Sequence, residues 1–249
     1  MNAIGVIPAR YASVRFEGKI LADILGKSMI QHVWENAKKA KSLDDLVVAA
    51  DDERIVEAVE RFGGRAVMTA KAHTSGTERI AEVVGEMDVK VVVNIQGDEP
   101  LVHPSMIDDV ATTLLNAPQY NCATIMKRIE HEEEIADPNV VKVVVNKKGQ
   151  ALYFSRCAIP FVREEEPGMR VHNKHIGLYG YTKDFLFIYK NLPPSKLEKL
   201  EKLEQLRILE NGYSIRVIET KHETIGVDTR EDLEKVKQWI QLRSKVSEV

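Results

Sequence analysis

Three short apolar runs constrain this chain more than any other feature: Ile4-Gly-Val-Ile7, Leu46-Val-Val-Ala-Ala50 and Val91-Val-Val-Asn-Ile95. They do not alternate apolar with polar residues as a half-solvated strand would, so they read as buried strands. Helical patterns separate them. Ser28 to Ala40 carries Met29, Ile30, Val33, Trp34 and Ala37 at helical spacing. Asp51 or Asp52 caps a second helix, with Ile55, Val56 and Val59 on one face and Gly63-Gly64 as its stop. Arg65 to Thr69 forms a further short strand. Strand–helix–strand alternation of this kind implies a parallel sheet.

The rhythm changes in the second half. Pro104 opens a helix to about Asn116, and Cys122 to Met126 is another strand. His131 to Ala136 reads as a short acidic turn or helix. Val140 to Asn146 and Gly149 to Phe154 then follow one another as a hairpin, with no helix between. Residues 161–174, rich in Glu and holding Pro167 and Gly168, read as a mobile loop. Lys174 to Tyr181 is a strand, and its period of two puts His175 and Tyr179 on one face. A helix near Lys183 to Lys190 is broken by Pro193-Pro194, after which Ser195 and Glu198 stand as a capping box. Leu203, Leu206 and Leu209 read as one helical stripe with Glu204 and Gln205 off it. Ser214 to Glu219 is a strand, and a last helix starts at Thr229 with Asp232 helping its cap. We expect a single domain over residues 1–249, with an excursion around 122–182.

Composition narrows the function. A formal charge of −3 argues against a nucleic-acid partner, which requires a basic face. Cys122 and Cys157 are the only cysteines and form no C-x-x-C, so neither a disulfide framework nor a thiolate zinc site is expected. No apolar run approaches a membrane span, and no charged-then-apolar leader is present, so no membrane partner and a cytoplasmic location are expected.

Within that frame, four groups of polar residues invite chemistry. Arg10, Arg15 and Lys19 crowd a loop that leaves the first strand. Open α/β sheets bind ligands at such strand ends, and Arg and Lys both hold phosphate, so a nucleoside triphosphate is a candidate ligand. A solvated basic loop is the competing reading. The spacing is neither the P-loop nor the dinucleotide fingerprint. Ser75 and Glu78 stand in capping-box relation, with Gly76 between them, and a helix should run from there to about Met87. Its free N–H groups suit an anion or the polar edge of a base, or the motif is an ordinary cap. Asp98 and Glu99 follow the Val91–Ile95 strand, where a carboxylate opposite a phosphate loop suits Mg2+ or is a solvated turn residue. His172 and His175 are too few and too alone to make a metal site.

Each motif is weak singly, but their order is specific. Pro8-Ala-Arg10 with Gly18-Lys19, Ser75-Gly-Thr-Glu-Arg79, Gln96-Gly-Asp-Glu-Pro100, Ala151-Leu-Tyr-Phe-Ser-Arg156, His175-Ile-Gly-Leu-Tyr-Gly180, Leu203-Glu-Gln-Leu-Arg207 and Gly226-Val-Asp-Thr-Arg-Glu-Asp-Leu233 together resemble the 3-deoxy-manno-octulosonate cytidylyltransferases over roughly residues 3–237. The resemblance implies a three-layer α/β fold of the nucleotide-diphospho-sugar transferase type. That fold is a mixed, mostly parallel sheet between helices, with a small β excursion that binds the sugar and makes a homodimer. It implies transfer of CMP from CTP to the anomeric hydroxyl of 3-deoxy-manno-octulosonate (Kdo), with release of pyrophosphate, for lipopolysaccharide assembly. Arg10, Lys19 and Asp98 would be catalytic. Pro8, Ala9, Arg10, Arg15, Lys19, Ser75, Gly76, Arg79 and Gln96 would bind the nucleotide, and Arg156, His175, Tyr179, Glu204 and Gln205 the sugar acid. Asp98 and Asp228 would hold one Mg2+, with a second Mg2+ on the β- and γ-phosphates.

Two positions depart from the family pattern. The first motif usually reads Arg-Leu-Pro-Gly-Lys, whereas here Glu17 replaces the Pro, and Ser28 stands where Gly-Lys-Pro is common. Glu17 adds a negative charge beside the phosphates, yet every charge-bearing ligand remains. The rival readings are the same reaction on another acid sugar, such as 8-amino Kdo or a sialic acid, and a nucleotide sensor without turnover.

Overall fold

The structure, a computed structural model, describes residues 1–12, 16–164 and 171–246, so Arg15 and residues 165–170 of the expected mobile loop lie outside the described residues. The first half winds as its apolar runs dictate. Strand β1 (Ala3–Ala9) leads through a single 3-10 turn and a small ribbon, β2 (Asp23–Ile24) and β3 (Lys27–Ser28), into helix α1 (Met29–Ala37). Strand β4 (Asp45–Ala50), helix α2 (Glu53–Arg61), β5 (Ala66–Met68), α3 (Gly76–Val84) and β6 (Val91–Asn94) follow. Asp52 caps α2 by accepting the Arg54 N–H, and Ser75 caps α3 by accepting the Glu78 N–H.

The second half comprises α4 (Pro104–Asn116), β7 (Cys122–Arg128), a one-turn α5 (Glu133–Ala136), the hairpin β8 (Lys142–Val145) and β9 (Ala151–Ser155), and the long β10 (Asn173–Thr182). Then come α6 (Lys183–Asn191), α7 (Lys196–Glu201), α8 (Leu206–Glu210), β11 (Arg216–Thr220) and α9 (Arg230–Val246).

The main sheet has the order β11-β7-β10-β6-β1-β4-β5. Along this path β10 alone is antiparallel to its neighbours β6 and β7. The sheet is therefore mixed and mostly parallel, as expected. Residues of β1 alternate between two cores: Ile7 joins Val48, Val93 and the α1 and α4 residues, while Ile4 and Val6 join Ile80, Phe185 and Leu206 on the other face. Both faces of the sheet are dry, so the strands read as unbroken apolar runs.

Two local expectations are corrected. Helix α3 ends at Val84, a turn short of Met87. The Leu203–Leu209 stripe is not one helix: Lys202 takes a left-handed conformation (φ 54°) at the end of α7, and α8 begins only at Leu206. Leu203 and Leu206 are buried as the stripe predicts, but Glu204 and Gln205 lie on a turn between the two helices.

Candidate active site

The chain reverses direction of winding at β1, which has β4 on one side and β6 on the other. Ligands of open α/β sheets bind in the crevice at such a switch point, beyond the carboxyl ends of the strands. Three loops meet there. Gly97 is pressed so closely on the first loop that a Cβ would stand 2.7 Å from Ile20 and 3.1 Å from the Pro8 carbonyl oxygen. Gly76 lies against the Pro8 ring, bringing the start of α3 to the same place. The Val227 N–H donates to the Asp98 carbonyl (2.9 Å), which ties the loop after β11 to the loop after β6.

Lys19 closes this junction. Its Nζ donates to Asp98 Oδ2 (2.8 Å), Asp228 Oδ1 (3.1 Å) and the Val227 carbonyl (3.0 Å). Burial alone would lower the ammonium's pKa, but Asp98 and Asp228 outweigh it and raise the value. Three hard oxygens thus converge on one atom. Among the described residues no cluster of three or more His, Cys, Asp or Glu is present, so the chain offers two carboxylates and one carbonyl. That set fits Mg2+, which keeps waters and takes further oxygens from phosphates. Glu99 behaves differently. Burial, with Asp98 and Asp228 adding to it, pushes its carboxyl up to about 8.

The antiparallel course of β10 carries the sugar-side candidates. Tyr179 pairs with Asn94 at the end of β6, so the residues before it project past the carboxyl edge of the sheet. There a cavity of about 300 Å3 is lined by Gly76, Gln96, His175, Tyr179, Glu204 and Gln205. A smaller one, about 100 Å3, lies beside Ser75, Glu204 and Arg207. The left-handed Lys202 is what turns Glu204 and Gln205 toward this space. The Glu204 carboxyl is raised by burial, against the pull of Arg207 and Arg10. The His175 imidazole is lowered to about 3 by burial and is neutral. The Tyr179 phenol is raised by burial and stays protonated.

Not every expected residue reaches the cavity. Arg156 sends its guanidinium to the carbonyls of Glu201 (2.7 Å), Pro138 (2.8 Å) and Lys202 (3.5 Å), where it satisfies the carboxyl end of α7. Arg79 is fully buried behind α3, bonded to Thr69 and, at 3.4 Å, to Asp51. Asp51 in turn accepts the Tyr11 N–H (2.9 Å), which links Arg79 to the basic loop. Ala9 is buried in the core. Arg10 leaves the end of β1 half-buried, and Glu17 is exposed.

Other residues were not foreseen. Asn94 accepts from Gln96 Nε2 (3.2 Å), and the Tyr189 hydroxyl donates to the Glu204 carbonyl (3.1 Å). Thr77, Tyr181 and Lys202 also line the cavity. Asn94 could have been noticed as the polar residue inside an apolar strand. Tyr181 and Tyr189 could not be told from core aromatics.

Comparison with known proteins bears on this geometry. A family model described as cytidylyltransferase matches residues 4–223. The 3-deoxy-manno-octulosonate cytidylyltransferase of Solibacter usitatus is 52% identical over 94% of this chain and 92% of its own length. That of Geobacter sulfurreducens is 50% identical over 95% of this chain and 98% of its own. A solved structure of CMP:2-keto-3-deoxy-manno-octonic acid synthetase complexed with CTP is 43% identical, with a TM-score of 0.92 over 98% of this chain and 100% of that one.

Proposed function

The chain belongs to the 3-deoxy-manno-octulosonate cytidylyltransferase family, and we propose that it transfers CMP from CTP to the anomeric hydroxyl of Kdo, releasing pyrophosphate. Its fold is of the nucleotide-diphospho-sugar transferase type. The observation that carries the reading is Lys19, held between Asp98 and Asp228 at the switch point and beside a polar cavity.

In this reading Arg10 and Lys19 grip the triphosphate, and Lys19 leaves the carboxylates for the phosphates as CTP enters. Reactions at phosphorus ask the protein mainly for position and charge neutralisation, which fixed cations supply. Asp98 and Asp228 would hold Mg2+, which when bound supplies charge stabilisation at the α-phosphate and lowers the pKa of the sugar hydroxyl. A second Mg2+ would accompany the β- and γ-phosphates. The N-terminus of α3, with Ser75 and Gly76, faces the nucleotide, and Gln96 stands between nucleotide and sugar. His175, Tyr179, Glu204 and Gln205 bind the sugar acid. No side-chain base is needed in this reading, because a metal-activated hydroxyl loses its proton without one.

The same reading makes the chain a cytoplasmic homodimer that feeds lipopolysaccharide assembly. Among the described residues no helix is long and apolar enough to cross a membrane. The β8–β9 hairpin stands off the main sheet path, and exposed Leu152 and Phe161 lie on and just beyond it, which suits a dimer contact in the 122–182 excursion. Light scattering of wild type and Leu152→Glu tests it; a monomeric wild type removes the dimer.

Pyrophosphate release from CTP and Mg2+ with Kdo, 8-amino Kdo and a sialic acid tests the reaction. Kdo-dependent release is expected. Release with another sugar alone would move the substrate, and CTP binding with no release from any sugar would favour a sensor.

A further inference from the structure

Thr124 is a polar residue in the dry centre of β7, fully buried among Cys122, Ala123 and Ile125. Opposite it, β10 has two extra residues: Ile176 pairs with Ile125, but the next pair is Tyr179 with Thr124. The Thr124 hydroxyl fills this irregularity. Its Oγ1 lies 2.8 Å from the Leu178 carbonyl oxygen, 3.3 Å from the Ile176 carbonyl oxygen and 2.9 Å from His175 Nε2.

A hydroxyl has one proton, and carbonyl oxygens can only accept. If the proton pointed at His175, two carbonyl oxygens would face Oγ1 lone pairs with nothing between, one of them at 2.8 Å. If it points at Leu178, the His175 contact is satisfied only when Nε2 carries a proton and donates to Oγ1. The second arrangement gives Oγ1, Nε2 and the closer carbonyl, that of Leu178, a partner each, and buried polar groups left unpaired are costly. Burial keeps the ring neutral, so the proton on Nε2 leaves Nδ1 bare. Nδ1 makes no hydrogen bond among the described residues, and His175 lines the 300 Å3 cavity.

We propose that Thr124 is a positioning residue that locks His175 in the Nε2–H tautomer, so that Nδ1 is presented to the cavity as an acceptor for a hydroxyl of the sugar substrate. The proton on Nε2 follows from Thr124 and the bare Nδ1 from the neutral ring; the identity of the hydroxyl rests on the sugar-acid reading above. Nδ1 selects a donor at that point in the cavity, so a substrate with an ether or carbonyl oxygen there is rejected.

Long-range 1H–15N spectra of histidine-labelled protein test the lock, with His175 assigned by its loss in His175→Gln. The expected wild-type spectrum shows a protonated Nε2 and an unprotonated Nδ1. Thr124→Val should abolish that pattern and raise KM for Kdo about five- to tenfold, with KM for CTP little changed. Thr124→Ser, which keeps the hydroxyl, should restore both. A wild-type ring protonated at Nδ1, or an unaltered tautomer in Thr124→Val, overturns the lock. If Thr124→Val does not fold, Thr124→Ser still decides, since loss of the Nε2–H pattern there also overturns it. An altered tautomer with an unchanged KM for Kdo overturns the hydroxyl contact. Absence of sugar-dependent turnover in the wild type removes the reaction and that contact together, while the spectrum still reads the tautomer.

Discussion

The two ends of the site are built on different principles. At the end proposed for the phosphates, Lys19, Asp98 and Asp228 are polar groups on three loops, partly open to solvent, and held by charge. At the end proposed for the sugar, half-buried His175, buried Tyr179 and the more exposed Glu204 line a cavity framed by an antiparallel strand and an inter-helix turn. The first end can rearrange, because an ammonium can trade one set of oxygens for another. The second is set by packing. Substitutions should therefore separate cleanly: the phosphate end through turnover, the sugar end through KM for the sugar.

The largest effect is expected at the junction. Asp98→Ala should lower kcat by about a thousandfold or more, in line with the several kcal/mol a metal site contributes to a transition state. Circular dichroism should show the fold intact, because the Lys19–Asp98 pair is partly exposed. Undiminished turnover would take Asp98 out of the metal role. At the other end, Gln205→Ala should raise KM for Kdo about tenfold through loss of a polar contact, with KM for CTP unmoved. A change in the CTP value instead would merge the two ends.

Arg156 sharpens the contrast, since its guanidinium bonds backbone carbonyls rather than lining the cavity. Arg156→Met should cost about 1–2 kcal/mol in denaturant unfolding, as carbonyls at the end of α7 lose their donor, and leave both KM values in place. A raised KM for Kdo at unchanged stability would return Arg156 to the sugar.

A last effect is in acid stability. His175 titrates near 3 in the fold against 6.5 when free. Between those values the unfolded chain binds the proton and the native one does not. Stability from this group is therefore full above about pH 6.5, and falls as pH drops toward 3, by up to about 1.4 kcal/mol per pH unit. His175→Asn should flatten the slope of unfolding free energy in that window. An unchanged slope would mean that His175 is solvated.

The same division decided what could be read in the sequence. The meeting of Lys19, Asp98 and Asp228 was legible because these residues are charged, lie at strand ends and keep simple order: Lys19 after β1, Asp98 after β6, Asp228 before α9. Strand ends of a parallel sheet must share an edge, so their convergence follows from winding. The sugar end was legible only by family resemblance. Even separation put His175 and Tyr179 on one face, and they do sit with ring centres 5.3 Å apart. The irregularity between them preserves the parity only because it inserts two residues rather than one. Leu203, Leu206 and Leu209 masked the break at Lys202, because inward-facing leucines on a turn and a short helix look like one longer stripe. Arg156 and Arg79 came from the resemblance, and the sequence does not show that one bonds carbonyls and the other is buried with an aspartate.

The measurement closest to the central claim is the 31P spectrum of a reaction of CTP, Mg2+ and Kdo labelled with 13C at the anomeric carbon. We expect pyrophosphate together with a phosphodiester resonance coupled to that carbon, which shows CMP joined to the anomeric oxygen. Consumption of CTP to CMP and pyrophosphate with no sugar-coupled phosphorus, or no consumption at all, would contradict it.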